Sequence, residues 1–329
     1  MLAYIVRRFL LALLTIWAIT VISFVIIQLP PGDYVTSYIA AMSASGSAVS
    51  QAEADALREQ LGLNQPMYVQ YLKWMGLILQ GNFGMAMEWA RPVRDVIGDR
   101  LALTIVISLA AIVFTWALAL PIGIFSAVKR YSFLDYVFTF VGFIGLAIPG
   151  FMLALIVMYI GFVYFGANAG GLFSPEFGDA PWSMEKAWDL AKHLPIPAIV
   201  IGISGTAQMI RIMRSNLLDE LRKPYVMTAR ARGLAETRVI MKYPVRVALN
   251  PFISILGYLL PQAVSGTVIV SMVLSLPTVG PLLLKALIAQ DMFLAGTIVL
   301  MLGVLTVVGT FISDLLLMWV DPRIRAGRQ

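Results

Sequence analysis

Six stretches of mainly apolar residues, near 9–29, 101–126, 134–165, 194–213, 249–275 and 293–319, dominate the chain. Each reaches the roughly 20 residues needed to cross the hydrocarbon core of a bilayer. In lipid every backbone amide and carbonyl must find its partner inside the protein, so stretches of this length form helices. Composition agrees, with 60% hydrophobic and 13% charged residues, where soluble domains carry about a quarter charged residues. The expected fold class is an all-α polytopic membrane protein with six transmembrane helices.

Six spans put both ends of the chain on one side. Placing the N-terminus and residues 127–136, 211–248 and 320–329 inside gathers 16 of the 24 Lys and Arg there, with only 5 of the 18 acids. The outer segments then hold 8 basic and 12 acidic residues, which makes the inner face +11 and the outer face −4. Positive residues concentrate on the cytoplasmic side, so both termini are expected in the cytoplasm. The overall charge of +6 is topological asymmetry and gives no support for a nucleic-acid partner. Arg7-Arg8 followed by an apolar run resembles a signal peptide. The run is too long for one, and the small residues Ala44–Ala48 lie about 15 residues beyond its end. It is read as a true span without cleavage.

Much chemistry is excluded. The chain has no cysteine and a single histidine, His193, just before a span and read as an interfacial residue. None of the seven lysines is preceded by Gly and followed by Ser or Thr, so no phosphate-binding GxxxxGK[ST] loop exists. No catalytic residue, metal site or cofactor is expected, and the chain itself is not expected to hydrolyse ATP. Asp314 stands alone in the hydrocarbon region. A lone carboxylate lacks the partner that a proton relay requires, so Asp314 is expected to be a structural anchor meeting an Arg or a helix end.

Outside the membrane, about 70 residues separate the first two spans. Ser50 with Glu53 makes a capping box for a helix over Gln51–Leu61, which Gly62 can end. A second helix is expected from Pro66, its apolar residues Tyr68, Tyr71, Leu72, Met75 and Leu79 recurring at helical spacing. Tyr71 and Trp74 suit a headgroup boundary. Residues 166–193 read as a short amphipathic cap, and residues 276–292 turn at Pro277 and start a helix at Pro281. Breakers inside spans, namely Pro121 with Gly123, Pro149 with Gly150, and Pro261 beside Gln262, are tolerated where a cavity or neighbouring helix satisfies the freed carbonyls. Candidate lining residues for a pore are Gln208, Gln262, Ser265 and Thr267. The organisation is thus residues 1–100, a first transmembrane helix with a large periplasmic segment, then residues 101–329, a five-helix core with a cytoplasmic loop over 211–248.

That loop contains Tyr225-Val226-Met227-Thr228-Ala229-Arg230-Ala231-Arg232-Gly233-Leu234. Nothing in the lipid phase needs a basic, Ala-rich segment closed by Gly-Leu. Ala229 and Ala231 let another surface come close, Arg230 and Arg232 offer charge, and Gly233 can take the left-handed conformation that ends a helix, with Leu234 as its apolar clasp. From the residues alone, the segment is either a docking lever for a soluble partner or a solvated loop obeying the charge rule.

The chain resembles the first permease subunit of the oligopeptide, dipeptide and nickel group of binding-protein-dependent ABC importers. The likeness rests on Tyr4-Ile5-Val6-Arg7-Arg8, Pro31-Gly32-Asp33, Gln60-Leu61-Gly62-Leu63-Asn64-Gln65-Pro66 and Gln70-Tyr71-Leu72. It continues through Gly81-Asn82-Phe83-Gly84, Arg91-Pro92-Val93, the Tyr225–Leu234 segment and Asp321-Pro322-Arg323-Ile324-Arg325. The resemblance implies the type I ABC importer permease fold and a coupling role for Tyr225, Thr228, Ala229, Arg230, Ala231, Arg232, Gly233 and Leu234, inserted into a groove on an ATPase subunit. It also implies a second homologous permease, two ATP-binding subunits and a periplasmic or extracellular solute-binding protein as partners, and uptake of a small hydrophilic solute such as a peptide or oligosaccharide. Two departures from the family pattern bear on the solute. Lys242-Tyr243-Pro244-Val245-Arg246-Val247-Ala248-Leu249 stands for the usual Lys-His-Ala-x-Arg-Asn-Ala-Leu, and Ser271 with Pro277-Thr278-Val279-Gly280 stands for a Glu and Pro-Gly-Leu-Gly. Rival functions are a stand-alone channel or secondary carrier, which needs intramembrane ion sites or internal repeats, and a membrane-anchored assembly factor.

Overall fold

The computed structural model describes residues 2–44, 49–166, 170–178, 180–255 and 268–320. It is almost wholly helical; among the described residues the only sheet is a two-stranded antiparallel ribbon, Met85–Ala86 against Arg91–Pro92. Contacts group the chain into two compact units, Met1–Leu103 with Thr278–Val307, and Thr104–Pro277 with Val308–Gln329.

Among the described residues, four helices are long and apolar enough to cross a membrane: α1 (Leu2–Gln28), α5 (Val93–Val128), α9 (Pro195–Leu221) and the last helix, Met292–Val320. The single span expected over 134–165 is instead two helices, α6 (Phe133–Ala147) and α7 (Gly150–Phe165), bent by 98°. Pro149 causes the break. Its ring forces Ile148 out of the helical region, to φ −85° and ψ 119°, and a new helix starts behind it. Counted as one broken span, the pair brings the described spans to five. The sixth expectation covers 249–275, of which residues 256–267, with Pro261, Gln262, Ser265 and Thr267, lie outside the described residues; helix is present again over Val268–Val273.

In the first unit the capping box forms as expected. Glu53 N–H donates to Ser50 Oγ at 3.2 Å, Ser50 N–H donates to Glu53 Oε2 at 3.0 Å, and Gly62 ends α3 (Gln51–Leu61) with a φ of 71°. Asp33, ahead of α2 (Tyr34–Ala44), accepts from Arg58 Nε at 2.8 Å and from Thr36 N–H at 2.8 Å, so the two outer helices are tied by charge as well as by packing. Partial burial opposes ionisation of Asp33, but the bonds from Arg58 and Thr36 outweigh it and hold the carboxyl below its ordinary value. Trp74 on α4 (Met67–Leu79) corrects an expectation. It is 1% exposed, packed on Phe24 and against Gly296, where an added Cβ would lie 2.9 Å from the indole ring. The indole is therefore a core residue of this unit and does not reach a headgroup boundary.

In the second unit α5 and α9 approach closely. A Cβ on Gly123 would sit 2.6 Å from Met213 Cβ, and one on Gly202 would sit 2.8 Å from the Phe114 ring, so both positions require glycine for want of space. Thr115 Oγ1 donates to the Gly202 carbonyl at 3.0 Å across the same contact. At the start of α6 the buried Asp135 accepts from Arg214 Nε at 3.0 Å and Nη2 at 2.9 Å. Near the end of the last helix, half-buried Asp314 follows Ser313, whose hydroxyl donates to the Ile253 carbonyl at 2.5 Å. Residues 166–193 contain helix α8 (Met184–His193), pinned by Asp189 accepting from Ser174 N–H at 2.7 Å and Oγ at 2.8 Å. The buried Lys186 donates to the Ala180 carbonyl at 2.6 Å beneath the Phe173 and Trp182 rings.

Candidate coupling site

Past Leu221 the chain turns through Arg222 and Lys223 and enters a short helix, α10 (Pro224–Ala231), with proline at its first turn, where the missing amide costs nothing. Two more short helices follow, α11 (Glu236–Lys242) and α12 (Pro244–Ala248). The inner side of α10 is apolar. Val226, Ala229 and Val239 of α11 form a buried cluster edged by Tyr225, Leu234 and Tyr243. Tyr225 also donates its hydroxyl to Glu220 Oε2 at 2.5 Å, fastening α10 to the end of α9.

The outer side of α10 is open, with Met227, Thr228, Arg230, Ala231, Arg232 and Gly233 exposed. Gly233 has a φ of 72° and its N–H donates to the Arg230 carbonyl at 2.9 Å. A Cβ there would meet nothing within 4 Å, so glycine is needed for its backbone conformation and not for space. Arg230 lies against Glu236 in a forked pair, Nη2 to Oε1 at 2.6 Å and Nε to both oxygens at 3.1 Å. The Arg230 bonds hold the Glu236 carboxyl below its ordinary value. No such carboxylate faces Arg232 among the described residues.

Helix α11 takes part in two clusters, the one under α10 and the one among the spans. Val239 packs under α10, whereas its neighbour Ile240 packs with Met213 and Leu217 of α9, Val245 and Ala248 of α12, and Ala119 and Ala127 of α5. One seven-residue helix thus contributes to the cluster under α10 through Val239 and to the cluster of the spans through Ile240.

This arrangement, a short exposed helix seated on a bundle of spans, can be set beside known proteins. The model of the binding-protein-dependent transport system inner membrane component matches residues 119–326, and that of the corresponding N-terminal component matches residues 1–110. The chain belongs to this family. The oligopeptide transport system permease protein AppB of Bacillus subtilis is 37% identical over 326 residues, covering 98% of this chain and 99% of the relative. The dipeptide transport system permease protein DppB of Alkalihalophilus pseudofirmus is 31% identical over 99% of this chain and all of the relative, and that of Escherichia coli is 28% identical over 99% of each. The protein is therefore a multi-pass inner membrane permease component of a binding-protein-dependent ABC importer.

Within the permease, the Tyr225–Leu234 residues singled out from sequence fall together on one helix and its cap, but they do not share one face. Ala229 points inward, so its small side chain serves the fit to Val239 and offers no close approach to an outside surface. Ala231 alone of the two alanines is exposed. Thr228 Oγ1 donates to the Pro224 carbonyl of its own helix at 3.0 Å. Of the candidate pore-lining residues, Gln208 is exposed on α9, and Gln262, Ser265 and Thr267 are among the residues not described. Sequence reasoning missed Glu220, Glu236, Val239 and Ile240. Glu236 had a signal, being the only acid in the basic stretch from 222 to 246.

Proposed function

We propose that this permease forms half of a pore for ATP-driven uptake of short peptides. It would pair with a second, homologous permease, draw energy from two ATP-binding subunits and receive solute from a binding protein outside. The observation that carries the peptide reading is the full-length likeness to relatives named for oligopeptide and dipeptide transport. Hydrolysis belongs to the partner subunits, since this chain has no phosphate-binding loop. Residues Tyr225–Leu234 act as the coupling element, facing the cytoplasm together with both termini. The exposed side of α10 is the surface that meets the ATPase, and the Val239–Ile240 link carries its stroke to α9. Such coupling needs contacts that differ between the two states of the pore.

Proteoliposomes holding this chain, its companion permease, the ATPase subunits and the binding protein test the reading. ATP-dependent accumulation of labelled di- and oligopeptides is expected. Uptake that persists without the ATPase subunits, or a complex that carries sugars or metal ions but no peptide, would overturn it.

A further inference from the structure

One cavity of the second unit shares no residue with the cluster under α10. It has a volume of about 220 Å³ and runs along most of α6 where that helix faces α9, from Tyr131 to Leu146. Asp135 and Arg214 neutralise each other at its wall. Asp135 Oδ1 accepts from Arg214 Nε, and Oδ2 accepts from Arg214 Nη2 and from Tyr131 N–H at 2.9 Å, so the carboxylate already has a cation of its own. Arg211, three residues earlier on α9, faces the same cavity. Its guanidinium lies 5.6 Å from the centre of the Phe143 ring, and among the described residues no carboxylate pairs with it. A guanidinium carries five donors in a planar fork suited to phosphate oxygens. The cavity therefore holds one uncompensated positive charge and a set of unused donors.

Apart from Thr139, the remaining walls are apolar and aromatic, and Tyr131 and Tyr136 among them are exposed. Tyrosine at the end of a span is suited to the headgroup layer. Lys129 and Arg130 precede Tyr131, adding to the positive field there. Free phosphate would use the guanidinium and leave the apolar walls wet. A phospholipid satisfies both, with its phosphate on Arg211 and its first acyl carbons along Phe143 and Leu146. We propose that this cavity binds the headgroup of one anionic phospholipid, held by Arg211. In the orientation proposed above, the lipid belongs to the cytoplasmic leaflet.

The full-length chain with its companion permease, reconstituted in nanodiscs of mixed phosphatidylglycerol and phosphatidylcholine and then released into mild detergent, is measured by native mass spectrometry. The wild type is expected to retain phosphatidylglycerol in preference to phosphatidylcholine by about fivefold, the ratio that one basic residue near an anionic headgroup supports. Arg211→Gln removes that preference, and Arg211→Lys keeps part of it. The variant leaves the Asp135–Arg214 pair intact, so its melting temperature in phosphatidylcholine alone should match the wild type. No lipid preference in the wild type overturns the proposal whatever the variant does. Displacement of the bound lipid by inorganic phosphate makes it a free-anion site, and loss of the companion permease with an unchanged lipid ratio makes it a protein interface; either outcome overturns it too. The readout is independent of peptide uptake and of orientation, so its failure leaves the transport reading standing.

Discussion

Asp291 and Met87 are 204 residues apart in sequence and joined by a 2.6 Å hydrogen bond, the Met87 N–H donating to a carboxylate oxygen that is wholly buried. The other oxygen of Asp291 accepts from Leu294 N–H at 3.0 Å, at the first turn of the last helix. Burial pushes the Asp291 carboxyl above its ordinary value, against the pull of the amides that donate to it. One side chain thus caps a helix and holds the ribbon of residues 85–92 in place. Asp291→Ala leaves those amides without acceptors at about 1–3 kcal/mol each. Hydrogen exchange at Met87 and Glu88 is expected to accelerate at least about tenfold. Unchanged exchange would show that the ribbon is held by other contacts.

Asp33 predicts a pH dependence of opposite sign. Its carboxyl is held below the ordinary value, so the folded state binds its proton less readily than the unfolded chain. Its contribution is complete above the unfolded value, about 3.9, and is lost as pH falls through the lower folded value. Asp33→Asn should loosen α2 from α3 at neutral pH, read as faster proteolysis between residues 33 and 62. The difference from wild type should shrink below about pH 4. A gap that stays constant down to that range and beyond means Asp33 acts through shape and not through charge.

Gly233 is predicted to need its backbone conformation and no particular volume. Space around it is open, so Gly233→Asn, which tolerates a positive φ, should support near-normal uptake in the assembled importer. Gly233→Val, branched at Cβ, should lower uptake at least tenfold, with loss of ATPase stimulation or of the ATPase subunits. Equal activity of both variants returns the segment to a solvated loop.

The Arg230–Glu236 pair separates an internal brace from a contact with a partner. If the pair braces α10 on α11, Arg230→Glu should reduce peptide-stimulated ATP hydrolysis, and adding Glu236→Arg should restore most of it. A double swap as impaired as the single change assigns Arg230 to the partner surface.

Absence of cysteine makes the proposed topology directly testable. Met184 is 85% exposed on α8 and Met227 is 63% exposed on α10. In intact cells an impermeant thiol reagent should label Met184→Cys and leave Met227→Cys untouched until the membrane is opened. Labelling of both in intact cells contradicts the assigned orientation.

The helical class, the four long spans, the capping box at Ser50 and Glu53, and the family were legible in the residues because each rests on a local pattern. Apolar length, one side chain capping one amide, and a run of motif residues need no knowledge of what lies across the fold. Gly233 belongs with them, since its left-handed turn is a property of the backbone at one position. What only the tertiary structure decided depends on neighbours distant in sequence. Helical spacing marks Trp74 as apolar, but only Phe24 and Gly296 make it a core residue. Pro149 and Pro121 read alike as breakers, yet the chain bends by 98° at one and continues as helix through the other. Ala229 and Ala231 are the same residue two positions apart, and the packing of Val239 turns one inward and leaves the other exposed. Arg211 and Arg214 count equally toward the positive inner face, and only the position of Asp135 compensates one of them and leaves the other open to a ligand.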